Sequence, residues 1–452
     1  MTAPTVAVIG FGVTGRAVSS WLASSGEAAL VLDDRADEHM ISAARAAGVD
    51  LTATPSGDEE LRRRLSGVRL VVPSPGVPVG HPVYRVAAEM GVPVRSEIEL
   101  ASEICRSRPG ARLLAITGTN GKTTVTTLVT AILERSGLRA VAAGNIGLPL
   151  IEAVRGDHEL VVAEVSSFQL QYTEQFRPSV SCWLNLAPDH LDWHPDMDHY
   201  AAAKARVWAN QGTGDRAVFN ADDPVVAAHA DAVPAGVTRV PFSARGEADF
   251  SVSGDQLRGP GGEPFMAVAD LPRALPHDIA NALAAAAVAV SAGATPEACR
   301  DALASTPPLP HRVSHVGSLA GVDWYDDSKA TTPASVLAAV AGFASVVLIA
   351  GGRNKGLDLS VLARAVPPIR AAVGIGEAGP EVVAALDGLV PTALASSMEE
   401  AVDRAAALSR PGDSVLLSPG CASFDWYSSY AARGDDFTRI VQRRSDQGGH
   451  AC

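Results

Sequence analysis

The segment Gly118-Thr119-Asn120-Gly121-Lys122-Thr123-Thr124 puts a lysine and two hydroxyls directly behind a glycine turn. It lies between the strand-like run Leu113-Leu114-Ala115-Ile116-Thr117 and a helix-like run from Val125 to Arg135. A loop of this kind binds phosphate: backbone N–H groups cradle the polyphosphate, Lys122 reaches the β- and γ-phosphates, and Thr123 can ligate Mg²⁺. Where the common eight-residue form has its first glycine, this chain has Ile116, so the loop is a shorter variant and generic kinase or GTPase readings weaken. A second cluster, Gly10-Phe11-Gly12-Val13-Thr14-Gly15, follows the apolar run Val6-Ala7-Val8-Ile9 and precedes a helix-like segment, with Asp33 and Asp34 after the next apolar run. This is the dinucleotide fingerprint. Glycines let a backbone approach a diphosphate, the diphosphate sits on a helix N-terminus, and an acid at the next strand end takes a ribose hydroxyl. On these residues alone a nicotinamide or flavin enzyme and a ligand-free turn both stay open.

Further along lie acids and imidazoles suited to a metal–phosphate site. Glu164 ends the apolar run Leu160-Val161-Val162-Ala163, where an acid is costly unless a cation or a donor meets it. It reads as a Mg²⁺ ligand, or else as a solvent-facing strand end. His190 and His194 have the i, i+4 spacing of a zinc pair, but the intervening glutamate of metalloproteases is absent and Pro195 follows. The protease reading is rejected and His190 is kept as a single ligand candidate. Lys204, in Tyr200-Ala201-Ala202-Ala203-Lys204, reads from sequence as a surface lysine on a helix.

Strand-like runs alternate with Ala-rich helical ones along the whole chain, the βαβ rhythm of parallel-sheet proteins. With 452 residues, at roughly 150 per domain, about three domains are expected. Breaks at Arg106-Ser107-Arg108-Pro109-Gly110 and Ser305-Thr306-Pro307-Pro308-Leu309-Pro310 place them at 1–108, 109–308 and 309–452. The fold class is α/β: a Rossmann-like N-terminal domain, a central P-loop ATPase-type parallel sheet with a small β insertion from about Phe242 to Pro276, and a C-terminal Rossmann-like α/β domain. Residues are 47% hydrophobic and 19% charged, a composition that folds compactly. The net charge of −13 is not the footprint of a nucleic-acid or anionic-membrane binder, so any anionic ligand must be held locally. Five cysteines (Cys105, Cys182, Cys299, Cys421, Cys452) without a C-x-x-C pair point to a reducing cytoplasm rather than a disulfide framework or zinc site. Thr5-Val6-Ala7-Val8-Ile9 reads as a first strand rather than an export signal, and the longest apolar stretch, Val336 to Ala350, falls short of the roughly 20 residues of a membrane span.

Taken together, the phosphate loop, Gly144-Asn145-Ile146-Gly147, Glu164-Val165-Ser166-Ser167, Asn185 through His190, and Ala203-Lys204 resemble the Mur ligase family of peptidoglycan synthesis. His311-Arg312, Asp326-Asp327-Ser328-Lys329-Ala330-Thr331, Gly351-Gly352-Arg353-Asn354-Lys355-Gly356 and Ser418-Pro419-Gly420-Cys421-Ala422-Ser423-Phe424-Asp425 are similar to its D-glutamate-adding member. The resemblance covers essentially the whole chain, in order. It implies a cytoplasmic, monomeric, ATP-dependent amide ligase that joins D-glutamate to UDP-N-acetylmuramoyl-L-alanine through an acyl phosphate, releasing ADP and phosphate.

By motif position the resemblance implies that ATP is held by Gly118, Thr119, Asn120, Gly121, Lys122, Thr123, Thr124, Asn281, Arg312 and Asp327, the last on a ribose hydroxyl. The first fingerprint then holds a UDP-sugar and not a nicotinamide. Gly12, Val13 and Thr14 meet the diphosphate, and Asp33, Asp34 and Arg35 the uracil and neighbouring groups. Ser74, Pro75 and Gly76 form the other wall, with Asn145 and Ser166 also on this substrate. D-Glutamate falls to Lys329, Thr331, Lys355, Ser423, Phe424 and Tyr430; Tyr430 stands where the family usually has phenylalanine, and Phe424 where leucine is commoner. The catalytic set is Lys122, Glu164, His190 and Lys204, with Thr123 and Glu164 on one Mg²⁺, His190 on a second, and Lys204 carbamylated to support the metal. Carbamylation needs the neutral amine, the form that burial favours.

Competing readings leave residues unexplained. An NAD-dependent oxidoreductase has no use for Lys122 or the C-terminal motifs, and a non-catalytic nucleotide switch none for Glu164, His190 and Lys204. Against a sister Mur ligase or a folylpolyglutamate synthase stand the N-terminal fingerprint together with Ser418 to Asp425.

Overall fold

The computed structural model describes residues 5–46 and 48–448; Cys452 lies outside them. Three sheets organise the chain, as the α/β reading expects. The first has four parallel strands in the order Leu51–Ala53, Ala29–Asp33, Val6–Ile9, Leu70–Pro73. Val6, Ala7, Val8 and Ile9 are all buried, because helices cover both faces of a parallel sheet and leave no position for a polar side chain.

The second sheet has nine strands, in the order Pro264–Ala267, Gln256–Arg258, Phe250–Ser253, Thr238–Ser243, Arg216–Asn220, Val180–Trp183, Arg112–Thr117, Leu160–Glu164, Ala140–Gly144. Pairing is parallel from Ala140–Gly144 across to Phe250–Ser253 and turns antiparallel at Gln256–Arg258. The Gly- and Pro-rich insertion therefore extends the edge of the central sheet rather than forming a separate layer. The third sheet runs Ser314–Leu319, Val322–Asp326, Ser414–Gly420, Val346–Gly351, Ile369–Ile375, Thr392–Leu394, with its first pair antiparallel and the rest parallel. Period-2 alternation sorts Val346, Leu348 and Ala350 into the apolar cluster on one face and Val347 and Ile349 into the cluster on the other.

By contact density the chain divides into two compact units, 1–186 with 198–266 and 282–303, and 187–197 with 267–281 and 304–452. The first unit holds the first two sheets and the second unit the third. Cys105, Cys182, Cys299 and Cys421 are buried and unbridged, and burial pushes the thiols of Cys299 and Cys421 up to about 12, which makes them inert. Among the described residues no helix is long and apolar enough to cross a membrane.

Candidate functional site

Both glycine loops leave the carboxyl end of a parallel strand, Val6–Ile9 and Arg112–Thr117, where α/β sheets bind ligands. At the first loop, Gly10 has φ +86° and a Cβ on Gly15 would stand 1.8 Å from Gly10 O, so Gly15 is required for the helix Val13–Ser24 to lie against its strand. Gly12 has neither constraint: its φ is −70° and a Cβ there meets nothing within 4 Å among the described residues. Its missing side chain leaves space beside a cavity of about 750 Å³.

Gly12, Val13, Thr14, Asp33, Asp34, Arg35, Ser74, Pro75, Gly76 and Asn145 all line that cavity, so every residue assigned to the UDP-sugar except Ser166 is brought together. Ser166 instead caps the helix Ser167–Gln171, its hydroxyl and N–H both bonded to Gln169 Oε1 at 3.0 Å, and it is Gln169 that faces the cavity. Asp33 is committed to the loop itself. Its Oδ2 accepts from Phe11 N at 2.6 Å and its Oδ1 from Arg35 N at 2.8 Å, which ties the end of one strand to the turn after another. His81 and Gln169 also line the cavity, and neither belongs to a motif a sequence reader would single out.

At the phosphate loop, Gly121 stands at the N-cap of helix Lys122–Arg135 with φ 84° and no side-chain cap, so the first-turn N–H groups are presented for an anion. The loop is braced by Asn185, whose Oδ1 accepts from Thr119 N at 3.1 Å and Asn120 N at 2.9 Å and whose Nδ2 donates to Asn120 O at 3.1 Å. Asn185 was visible as part of a motif but not as the loop's brace. Lys122 Nζ donates to Gly118 O and Thr119 O, both at 2.9 Å. Lys204 Nζ donates to the same Gly118 O at 2.8 Å.

Lys204 corrects the surface-lysine reading of its residues: it is 1% exposed, and its ammonium lies 4.6 Å from the centre of the Tyr200 ring. The helix Met197–Ala205 turns it inward beside the phosphate loop, a placement that its alanine-rich neighbours in sequence do not signal. Glu164 pairs in register with Ile116 and Gly144 at the carboxyl end of its strand. Its Oε1 accepts from Asn145 Nδ2 at 2.9 Å, while Oε2 is buried and, among the described residues, has no hydrogen-bond partner. A buried carboxylate oxygen left in this state next to a phosphate loop fits a cation, and Thr123, in the first turn of the adjacent helix, is of the right chemistry to share it.

The remaining predicted residues belong to the second unit and are described within it. Asp327 is buried and accepts from Ser418 Oγ at 2.7 Å; burial pushes its carboxyl up to about 7, against the pull of Ser418 and of the Arg312 charge. Arg312 stands between His311 and Val313, which have φ values of 58° and 50°. A left-handed backbone at a β-branched residue is an outlier that marks a constrained loop. Asn281 and Thr331 are half-buried, on helix Pro276–Ser291 and in the loop before helix Pro333–Val340.

His190 has φ 58°, and its Nε2 lies 3.2 Å from Asp189 Oδ2. Asp189 Oδ1 accepts from Lys355 Nζ at 3.3 Å, so this acid, not singled out from sequence, joins the proposed metal-binding imidazole to a proposed D-glutamate cation. Lys329 Nζ sits 3.9 Å from the centre of the Tyr430 ring, a cation–π contact that phenylalanine would also make. Ser423 is buried and Phe424 is 63% exposed. Their loop is fastened by Arg433, a buried residue outside every recognised motif. It donates to Ser328 Oγ and Ser328 O at 2.9 Å and to Cys421 O at 3.2 Å, joining the loop that carries Lys329 to the one that carries Ser423. The signal for Arg433 was an arginine on the inward face of an otherwise surface-patterned helix, Tyr430–Gly448.

Comparison with known proteins matches three family descriptions in order: the Mur ligase MurD-like N-terminal domain at residues 4–96, the Mur ligase middle domain at 116–289 and the Mur ligase glutamate ligase domain at 311–421. The chain is 44% identical to a UDP-N-acetylmuramoylalanine--D-glutamate ligase of Frankia casuarinae, over 97% of this chain and 94% of that one. It is 41% identical to the protein of the same name from Shouchella clausii, over 96% of each. Among solved structures it is similar in fold to a pseudomurein peptide ligase type C from Methanothermus fervidus, with TM-score 0.62, 16% identity and coverage of 97% and 99%. It is similar also to MurF from Acinetobacter baumannii, with TM-score 0.62, 17% identity and coverage of 97% and 92%.

Proposed function

The chain belongs to the Mur ligase family, and from that premise we propose that it is the ATP-dependent ligase that adds D-glutamate to UDP-N-acetylmuramoyl-L-alanine in the cytoplasmic synthesis of peptidoglycan precursors. The observation that carries this reading is full-length similarity, at 37–44% identity, to relatives that bear that one name. The cavity beside the first glycine loop and the uncapped helix behind the second support it, since a UDP-sugar and ATP each need an anion-binding helix N-terminus.

The reaction joins an unreactive carboxylate to an amine. The L-alanyl carboxylate attacks the γ-phosphorus of ATP and ADP leaves, giving an acyl phosphate. The free amine of D-glutamate then attacks the acyl carbon, the C–O bond to phosphate breaks, and the nitrogen sheds one proton to solvent. Charge neutralisation and alignment govern the first step. Lys122 leaves the Gly118 and Thr119 carbonyls to neutralise the ATP phosphates, and the helix N-terminus behind it binds the same anion. Thr123 and Glu164 would hold one Mg²⁺ and His190 a second; when bound, the metal supplies charge neutralisation at the transferred phosphoryl group. Carbamylation of Lys204 leaves one N–H on its nitrogen, enough to keep the Gly118 bond, and replaces a cation by a carboxylate-like group of the sign a metal requires. Lys329, Thr331, Lys355 and Ser423 supply cations and donors for the two carboxylates of D-glutamate.

The test is phosphate release from ATP with UDP-N-acetylmuramoyl-L-alanine and Mg²⁺, comparing D-glutamate with L-glutamate, L-alanine and diaminopimelate. Release driven by D-glutamate alone is the expected result. Release driven by another of these amino acids refutes the substrate assignment, and no release with any of them refutes the ligase.

A further inference from the structure

The cavity beside the first glycine loop contains an acid whose orientation is set by a residue that the reaction above does not use. His81 caps the helix Pro82–Glu89, its Nδ1 accepting from Val83 N at 3.1 Å. A nitrogen that accepts from a backbone N–H carries no proton, so the proton of the neutral ring is on Nε2. Nε2 lies 3.1 Å from Asp34 Oδ1 and donates to it. The His81 side chain is 6% exposed and that of Asp34 57%, and both line the cavity. A buried donor, itself oriented by backbone, thus holds an exposed carboxylate in one position at the cavity wall. Asp33 is instead committed to the backbone, its two oxygens accepting from Phe11 N of the glycine loop and from Arg35 N.

We infer that His81 is a positioning residue for base recognition: it holds the Asp34 carboxylate where it accepts the N3–H of a uracil ring and rejects cytosine. The inference rests on the reading of this cavity as a UDP-sugar site and deepens it. Uracil presents a donor at N3, whereas cytosine presents a lone pair there, which a carboxylate opposes. Fixing an exposed carboxylate before binding removes the ordering cost that the ligand would otherwise bear. The general logic of dinucleotide sites puts the glycine loop on the diphosphate and the end of the second strand on the nucleoside, and it is the resemblance that assigns Asp34 to the uracil within that nucleoside.

The test is calorimetric titration of the full chain with UDP and with CDP. His81→Asn separates the two roles of the imidazole, because asparagine is a good N-cap but too short to reach Asp34. The expected result is a UDP affinity about tenfold lower, CDP binding unchanged and an unchanged melting temperature. Asp34→Asn removes the same acceptor without touching the cap and is expected to shift the preference toward CDP. An unchanged UDP-to-CDP ratio in His81→Asn, or equal weakening of the two nucleotides in either variant, overturns the inference. A wild-type chain that binds UDP and CDP alike overturns it while leaving the UDP-sugar site standing. Failure of the wild-type chain to bind either nucleotide removes both readings.

Discussion

Replacing Glu164 by glutamine separates what this side chain costs the fold from what it gives the reaction. One carboxylate oxygen accepts from Asn145 Nδ2 at 2.9 Å; the other is buried and, among the described residues, meets no donor. An unsatisfied buried acceptor of this kind costs about 1–3 kcal/mol. Glutamine has the same shape, keeps the Asn145 bond through its own oxygen, and leaves a neutral amide where the charge was, so about 1 kcal/mol of that cost is recovered. The ligand-free Glu164→Gln chain should therefore melt about 1–2 °C higher than wild type. Turnover should move the opposite way. Loss of one carboxylate from the metal site costs about 10–100-fold in rate and raises the Mg²⁺ needed for half-maximal activity by a similar factor. Thermal melting without ligands and phosphate release across a Mg²⁺ titration measure the two effects. A variant less stable than wild type, or one that turns over normally with an unchanged Mg²⁺ requirement, would show that Glu164 is a structural acceptor and refute the reasoning.

Lys204→Ala should nearly abolish turnover, and a small carboxylic acid in the buffer should partly restore it; undiminished activity removes the carbamate assignment. Gly12→Ala should fold normally and bind UDP at least about tenfold more weakly, whereas Gly15→Ala, whose Cβ would stand 1.8 Å from Gly10 O, should lose about 3 kcal/mol or more in denaturant unfolding. Arg433→Met leaves Ser328 O and Cys421 O without their guanidinium donor, which should cost about 3 kcal/mol and raise KM for D-glutamate, read by chemical denaturation and by kinetics at saturating ATP. The Asp327 carboxyl, pushed up to about 7 by burial, titrates above its unfolded value of about 3.9. Its protonated form therefore favours the fold, and that contribution is fully present below pH of about 4 and lost as pH rises through about 7. Asp327→Asn should flatten this decline in a pH series of unfolding free energies; an unchanged slope would show that the carboxyl is ionised throughout.

Much of the candidate site's geometry was legible because it is local. A phosphate loop is a run of backbone N–H groups at a helix N-terminus, so strand, glycines, Lys122 and helix in that order make the candidate site, and the dinucleotide fingerprint is local in the same way. The α/β class was legible because parallel strands buried on both faces read as unbroken apolar runs such as Val6–Ile9 and Leu160–Ala163. Lys204 shows where local reading stops. Its neighbours in sequence describe a solvated helix, and only the packing of that helix beside the phosphate loop buries its ammonium on Gly118 O.

Asn185, Asp189, His81 and Arg433 were decided in the same way, since each acts on a group far away in sequence: a loop amide, a lysine, a carboxylate, or a pair of carbonyls. Sequence by itself determined which segments become strands, helices and glycine turns, because backbone propensity and hydrophobic period act over a few residues. Tertiary structure alone decided which polar groups are buried and what they are paired with. Burial and hydrogen bonding between distant segments depend on where the whole chain brings them, and no short stretch of sequence contains that.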